Sequence, residues 1–169
     1  GIAQPRTWVF FDREEARAFL ASAALPIVIK ADQGSSSRGI TVCRSTREAR
    51  RWVDDYFRHG VVIDRGDPRD RSWGYVICQE FLPGVNEWRL VRIGDSYFCR
   101  FKERRGEFHS GSGWVGWAAA PRHLLDLLRD MTDAAGFTSM NADVFETADG
   151  RFLVNELHAV FGDIDPANR

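Results

Sequence analysis

Apolar residues recur along the chain at two different spacings, and these spacings predict its helices and strands. Residues 12–24, 45–58 and 121–135 place apolar side chains three to four positions apart, as in helices with one buried side. Short runs rich in β-branched and aromatic residues predict strands at 26–31, 39–43, 75–82, 87–93, 97–104, 141–146 and 152–157. Because most of these strands follow one another through short turns, we expect antiparallel sheets and an α+β fold, not a doubly wound parallel sheet.

Residues with capping chemistry mark the ends of the predicted helices. Asp12 is the predicted N-cap of the first helix, and Pro26 is expected to end it. Residues 45–48 form the Ser-x-x-Glu capping-box pattern, which opens the second helix. Pro121 is predicted to be the first residue of the third helix. Residues 64–72 are charged and contain proline and glycine, so we expect a loop there.

The composition describes a folded protein with no strong charge bias. The 169 residues are 44% hydrophobic and 12% aromatic, which is enough for one domain or for two small lobes. The net charge of −1 favours neither nucleic acid nor a membrane as a partner. No apolar run approaches the ~20 residues of a membrane-spanning helix, and we expect no secretory leader. Cys43, Cys78 and Cys99 lie in separate apolar runs, so we expect reduced, buried thiols and a cytoplasmic protein.

A lysine followed by a glycine- and serine-rich loop is the first candidate ligand site. Lys30 ends a buried-looking strand, where an unpaired ammonium group would be costly. The loop after it offers small side chains, hydroxyls and backbone N–H groups that suit phosphates; its candidate residues are Gly34, Ser35, Ser36, Ser37 and Gly39. It is not a Walker loop, because no Gly-Lys-Ser/Thr follows. The alternative is an ordinary hairpin loop after a lysine at a strand end.

The end of the strand before Pro83 is a candidate purine site. Backbone N–H and C=O groups at a strand exit can bind the edge of a purine, while an apolar side chain packs on its face. The candidate residues are Gln79, Glu80, Phe81 and Leu82. The alternative is simply a strand that runs into a turn.

Charged side chains are predicted to share one face of the hairpin that follows. Glu87 and Arg89 lie two positions apart, and so do Lys102 and Arg104 on the partner strand, so each pair has its side chains on one face. Such a surface could bind a ribose hydroxyl and the oxygens of phosphates or carboxylates. The alternative is a solvated sheet surface with paired charges.

The last predicted hairpin brings two carboxylates and an imidazole together. Glu156 and His158 point to the same side of one strand, and pairing across the turn places Asp143 beside them. Carboxylate oxygens suit Mg²⁺, which keeps waters and bridges phosphates. Imidazole is a softer ligand that suits Mn²⁺ or Zn²⁺ better, so His158 is a candidate ligand, a neighbour of the ligands or a proton acceptor.

These segments, in this order, resemble the ATP-grasp superfamily, in particular the carboxylate–amine ligases of the D-alanine–D-alanine ligase, glutathione synthetase and ribosomal-protein glutamate ligase type. The resemblance covers nearly the whole chain. It implies two α+β lobes with antiparallel sheets that enclose a nucleotide cleft, at residues 1–82 and 83–169.

The resemblance also implies a role for each candidate residue. Lys30 would contact the α/β-phosphates of ATP beneath the glycine/serine loop, the Gln79–Leu82 segment would bind adenine, and Glu87 would bind the ribose. Asp143 and Glu156 fall on two metal-ligand positions of the family.

Three departures from the family pattern set this chain apart. His158 stands where the family usually has asparagine, and Asn141 stands where some dipeptide ligases have arginine. The family's N-terminal substrate domain and an earlier phosphate-binding lysine have no counterpart, so we expect the chain to be the grasp region of a longer protein.

The resemblance implies an ATP- and Mg²⁺-dependent ligase, with Mn²⁺ as an alternative metal. It would activate a small-molecule or peptide carboxylate as an acyl phosphate for attack by an amine or thiol, with Arg89 and Lys102 as the catalytic residues. A kinase acting on a small molecule would use the same site. A catalytically weakened nucleotide-binding module is a further alternative, supported by His158, and a homo-oligomer is left open.

Overall fold

The chain folds into two compact units. The computed structural model describes residues 2–33, 39–62, 67–102, 115–116, 119 and 121–159. One unit is Pro5–Pro83, and the other joins Gly1–Gln4 to Gly84–Arg169. Every described strand pair is antiparallel, which confirms the predicted α+β class. No described helix is both long and apolar enough to cross a membrane.

The Pro5–Pro83 unit is a four-stranded sheet with two helices on one face. Its elements are β1 (Thr7–Phe10), α1 (Arg13–Leu20), β2 (Ile27–Ala31), β3 (Ile40–Cys43), α2 (Thr46–His59), β4 (Val61–Val62), β5 (Arg71–Ser72) and β6 (Val76–Glu80). The strand order is β1-β6-β2-β3, and β4 pairs with β5 separately. Alternation along β2 buries Ile27, Ile29 and Ala31 against the helices, so Val28 and Lys30 lie on the other face.

The second unit is a five-stranded sheet with one helix. Its elements are β7 (Asn86–Ile93), β8 (Ser96–Lys102), β9 (Val115–Gly116), α3 (Arg122–Ala135), β10 (Ser139–Glu146) and β11 (Phe152–His158), in the strand order β11-β10-β7-β8-β9. Leu124, Leu128 and Met131 of α3 pack on the apolar face that includes Leu90 and Val144. The opposite face of this sheet is therefore left for polar side chains.

Three local predictions were wrong. Helix α1 ends at Leu20 and not at residue 24, because the alanines and the serine that follow offer little apolar surface to bury. The backbone N–H groups of Ala21 and Ser22 close the last turn by donating to the carbonyl oxygens three residues earlier. Arg71–Ser72 forms strand β5, so the predicted 64–72 loop ends earlier; a two-residue strand is too short to show a periodic pattern. Pro121 is the N-cap of α3, with an extended ψ of 123°, and not its first helical residue.

Candidate functional site

Strand register places five charged residues on the face of the second sheet that α3 leaves open. Side chains of directly paired residues lie on the same face of a sheet. Asp143 on β10 pairs with Arg89 on β7 and with Glu156 on β11. Glu87 pairs with Lys102 one row away, on β7 and β8. The structure thus brings together the predicted charged surface of the β7–β8 hairpin and the carboxylates of the last hairpin.

Asp143 is completely buried and is held by basic side chains. Arg89 donates to Oδ1 through Nε and to Oδ2 through Nη2, both at 2.8 Å. Lys102 Nζ donates to Oδ2 at 2.6 Å and lies 3.1 Å from Glu87 Oε1. Two parallel N–H···O bonds from one guanidinium fix both the position and the plane of the Asp143 carboxylate.

The environment shifts the two buried carboxyl groups in opposite directions. Burial alone raises the pKa of Asp143, but the hydrogen bonds from Arg89, the imidazole of His158 3.8 Å away and the charge of Lys102 outweigh it and hold that pKa well below its usual range. Burial also raises the pKa of Glu87, and the nearby Lys102 counters this only in part. Of the two buried carboxyl groups, Asp143 is therefore the one that is firmly ionised, and Glu87 is the one that accepts a proton more readily.

Asp143, Glu156 and His158 form a group that fits a divalent cation. One ligand atom from each lies within 4.8 Å of the others. His158 Nε2 is 3.1 Å from Glu156 Oε2 and 3.8 Å from Asp143 Oδ2. Interaction with the carboxylates of Asp143 and then Glu156 raises the pKa of His158 to about 9, against the effect of burial. Two carboxylates and an imidazole are a donor set that divalent metals accept, and the imidazole must be neutral to bind one.

Two residues that the sequence analysis did not assign to the site lie on the same face. Arg100 pairs with Arg89, and Asn141 pairs with His158. Asn141 is 3% exposed, and its Oδ1 accepts no hydrogen bond among the described residues. The alternation that linked Glu87 to Arg89 also links Arg100 to Lys102, so the signal for Arg100 was present in the sequence.

In the Pro5–Pro83 unit, Lys30 and Gln79 share the sheet face opposite the helices. Lys30 pairs with Ile77, and Gln79 pairs with Val28, in adjacent rows of the β2–β6 ladder. Gln79 is 5% exposed and donates from Nε2 to Thr7 Oγ1 at 3.2 Å. This face therefore combines a lysine and an amide with apolar side chains.

The remaining residues of the predicted purine site lie at the end of β6. Glu80 accepts from the backbone N–H and from Nε of Arg6, at 2.8 and 2.7 Å. Phe81 and Leu82 follow the strand and are half-buried. Their backbone has left the ladder, as the predicted role at a strand exit requires.

Only the last residue of the predicted phosphate loop lies in the described part of the chain. Gly39 has a φ of 72°, which favours glycine, and a Cβ there would lie 3.0 Å from Ala31 Cβ. Gly34, Ser35, Ser36 and Ser37, together with Arg104, lie outside the described residues.

The two lysines of the chain are both candidate site residues. Of its 23 basic residues, only Lys30 and Lys102 are lysines, and all the others are arginines. Because the chain uses arginine at every other basic position, the compact ammonium groups of Lys30 and Lys102 mark these two residues in the sequence as candidates for a specific role.

The fold is that of ATP-grasp proteins. A RimK-domain ATP-grasp protein from Sphaerobacter thermophilus DSM 20745 matches with a TM-score of 0.66 at 21% identity, over 92% of this chain and 53% of its own. The ATP-grasp ligase PsnB, in complex with a minimal precursor, Mg and ADP, matches with a TM-score of 0.61 at 19% identity, over all of this chain and 48% of its own.

Sequence similarity extends to curated ligases and synthases. The N5-carboxyaminoimidazole ribonucleotide synthase of Mycobacterium tuberculosis H37Rv is 28% identical, over 93% of this chain and 36% of its own. The α-aminoadipate–LysW ligase LysX of Sulfurisphaera tokodaii is 27% identical, over 95% of this chain and 55% of its own. No family model matches the chain.

The fold and these relatives confirm the resemblance to ATP-grasp proteins that the order of the motifs predicted. It spans 36% and 55% of the lengths of these two curated relatives. The reaction, substrates and partners of the whole protein are therefore matters for proposal.

Proposed function

We propose that this chain carries the nucleotide and metal residues of an ADP-forming ligase. The ligase would activate a carboxylate with ATP as an acyl phosphate, which an amine or a thiol then attacks. The observation that supports this most is the group formed by Arg89, Lys102, Asp143 and Glu156 on one face of a sheet with the ATP-grasp fold.

The proposed reaction has two steps. In the first, an oxygen of the substrate carboxylate attacks the γ-phosphorus of ATP, the bond to the β–γ bridging oxygen breaks, and ADP leaves with that electron pair. In the second, the amine nitrogen attacks the carbonyl carbon, the bond to the phosphate oxygen breaks, and the nitrogen loses a proton. Both steps place negative charge on phosphoryl oxygens, so positioned cations are the main requirement for catalysis.

Arg89 and Lys102 are the cations that we propose for this role. Both bind Asp143 in the structure, with the guanidinium in a fork geometry that phosphate oxygens can also accept. Lys102 is buried between Glu87 and Asp143, so it is held in one place before any ligand arrives. We propose that these two side chains bind the γ-phosphate or the acyl phosphate, while Glu87 binds the ribose.

Asp143, Glu156 and His158 are the residues that we propose for the metal. A divalent cation bound there would neutralise phosphate charge and orient the transferring group. Mg²⁺ is the metal that the relative PsnB holds with ADP. The imidazole of His158 favours Mn²⁺ as an alternative in this chain.

The Pro5–Pro83 unit supplies the proposed contacts to the rest of ATP. Lys30 lies on the helix-free sheet face, and we propose that its ammonium group binds the α- and β-phosphates together with residues of the Gly34–Gly39 segment. The backbone from Gln79 to Leu82 would bind the adenine edge where β6 ends.

A nucleotide-binding module without turnover is a second candidate, and the contacts of Asp143 favour it. Arg89 and Lys102 already occupy both oxygens of Asp143, and His158 lies within 4 Å of both Asp143 and Glu156. A metal would have to displace some of these contacts. A chain that binds ATP without displacing them would not transfer the phosphoryl group.

Trapping the acyl phosphate tests the proposal. The protein would be incubated with ATP, Mg²⁺ or Mn²⁺, hydroxylamine and a panel of free and peptide-borne carboxylates, and hydroxamate and ADP would be measured together. We expect carboxylate-dependent ADP release with matching hydroxamate, lost in Arg89→Gln but kept in the exposed control Arg122→Gln. ADP release that depends on hydroxyl acceptors, without hydroxamate, would identify a kinase. ATP binding without ADP release would support the second candidate.

A further inference from the structure

The outer side of the two helices in the Pro5–Pro83 unit carries a basic groove that the proposed ATP chemistry does not use. Five arginines, Arg17, Arg47, Arg50, Arg51 and Arg58, line a space of about 600 Å³ together with two aspartates and a threonine. We call this space the arginine groove. All five arginines belong to α1 or α2, so the groove is part of one unit.

The groove lies on the side of α2 that faces away from the sheet. Ala49, Val53 and Tyr56 form the buried side of this helix. Arg47, Arg51 and Arg58 are four and seven positions apart, so they form one exposed stripe along the helix. The arginine stripe is thus a continuous feature of the helix surface.

Structural roles account for only two of the five arginines. Arg17 forms an ion pair with Asp54 across the two helices. Arg50 donates from Nη2 and Nε to the carbonyl oxygen of Arg17, at 3.3 and 3.4 Å, near the C-terminal end of α1. Within the described part of the chain, the side chains of Arg47, Arg51 and Arg58 form no ion pair or hydrogen bond.

Three unpaired guanidinium groups on one stripe repel one another, and nothing in the packing of α2 requires them. Like charges one helical turn apart destabilise a helix slightly. The chain as a whole has a net charge of −1, so these arginines do not belong to a generally basic surface. An anionic partner would turn this repulsion into attraction.

The other lining groups indicate the chemistry of that partner. The planar fork of arginine matches a carboxylate with two parallel hydrogen bonds. Asp54 and Asp55 also line the groove, and they would repel an unbroken row of phosphates. A peptide brings backbone N–H donors as well as acidic side chains, so it suits a groove that holds carboxylates beside its arginines. We propose that the arginine groove binds an acidic peptide segment, rich in aspartate or glutamate, from a partner protein.

Binding of a labelled acidic peptide tests this proposal. Fluorescein-labelled hexaglutamate would be titrated with the protein at low salt, with fluorescence anisotropy as the readout. The groove variant combines Arg47→Gln, Arg51→Gln and Arg58→Gln. The matched control combines Arg122→Gln, Arg129→Gln and Arg151→Gln, which removes the same charge from exposed positions of the other unit. Circular dichroism and thermal unfolding would show that both variants are folded.

We expect the groove variant to bind the peptide about tenfold more weakly than the wild type, and the control to bind it as the wild type does. Replacing the same three arginines by lysine keeps the charge but removes the fork, so we expect about a threefold loss. Equal weakening in the groove and control variants, or no binding by the wild type, would overturn the proposal. It would also be overturned if an oligouridine of equal charge bound more tightly through the same three arginines.

Discussion

At the scale of single residues, Asp143 organises the candidate site, because two basic side chains share its oxygens. Arg89 and Lys102 keep this buried carboxylate ionised, and Asp143 in turn holds both cations on the face where we propose that phosphate binds. Glu87 holds the other side of Lys102. The charges of this group compensate one another, so the loss of one partner affects all of them.

The first prediction concerns Lys102→Met. This change leaves two buried carboxyl groups without their shared cation, so the free energy of unfolding should fall by about 3 kcal/mol. Urea denaturation of the variant and the wild type measures the difference. Arg13→Met is the control, because the Arg13–Glu14 pair is exposed and should contribute almost nothing. Equal effects of the two substitutions would contradict the buried ion-pair account.

The second prediction uses the scarcity of lysine. An amine-reactive acylating reagent should modify Lys30, which is half-buried, well before Lys102, which is 6% exposed and lies between two carboxylates. Peptide mass spectrometry measures both rates, and denatured protein provides the reference in which they are equal. If Lys30 binds the phosphates, ATP with Mg²⁺ should slow its modification. Equal rates in the native protein would show that Lys102 is not enclosed as described.

At the scale of elements, the side chains of Asp32, Tyr56 and Ser72 join the end of β2 to α2 and β5. The Tyr56 hydroxyl donates to Asp32 Oδ1 at 2.9 Å and lies 2.9 Å from Ser72 Oγ, and Ser72 also donates to Asp32. Asp32 directly follows β2, which carries Lys30. This network therefore fixes the end of the strand that positions the candidate phosphate-binding lysine.

The hydrogen bonds of Asp32 leave no room for a side chain at Gly74. A Cβ at Gly74 would overlap Asp32 Oδ2, so Gly74→Ala must displace Asp32 from its hydrogen bonds. We expect Gly74→Ala to lower the free energy of unfolding by about 2 kcal/mol, because it breaks the partly buried hydrogen bonds of Asp32. Gly150→Ala, which meets no atom within 4 Å and strains only a positive φ, is the comparison and should cost about 1 kcal/mol. A smaller effect at Gly74 would contradict this account.

The reactivity of the three cysteines tests the burial of each sheet separately, because Cys43 and Cys78 lie in one unit and Cys99 lies in the other. Burial raises the pKa of Cys43 to about 11 and that of Cys78 to about 12, both in the Pro5–Pro83 unit, and raises that of half-buried Cys99 in the other unit. At pH 8 an aromatic disulfide reagent should therefore react first with Cys99, and with the other two only on unfolding. Because the folded-state values exceed the ordinary value of 9.0, these thiols should cost stability as the pH rises above 9. Rapid labelling of Cys78 in the native protein would contradict its burial.

At the scale of the whole molecule, similar numbers of opposite charges are arranged into distinct surfaces. The 23 basic and 24 acidic residues nearly cancel, yet five arginines line one groove, while two cations and three carboxylates meet on a sheet face of the other unit. Net charge alone gave no reason to expect an anion-binding groove. The similarity to ATP-grasp proteins concerns the fold, whereas these local arrangements carry the proposals about function.

The periodicity of the sequence predicted the features of the fold that depend on residues close together in the chain. The sequence alone predicted that Glu87 and Arg89 share one face of their strand, and it predicted the last hairpin, because each feature involves residues close in sequence. The pairing of β7 with β10, which brings Arg89 to Asp143, joins residues 54 positions apart and leaves no local pattern. In sequence, the arginine stripe on α2 has the pattern of an ordinary solvated helix face, and the absence of ion pairs in the described structure distinguishes it.

A calorimetric titration of the protein with ATP, in the presence of Mg²⁺ and then of Mn²⁺, tests the proposed nucleotide and metal site. The wild type would be compared with Lys30→Ala and Glu156→Gln, and with the exposed control Glu15→Gln. We predict metal-dependent binding that is lost in both site variants, by about tenfold or more, and kept in the control. ATP binding that survives both site substitutions unchanged would contradict the proposed nucleotide and metal site.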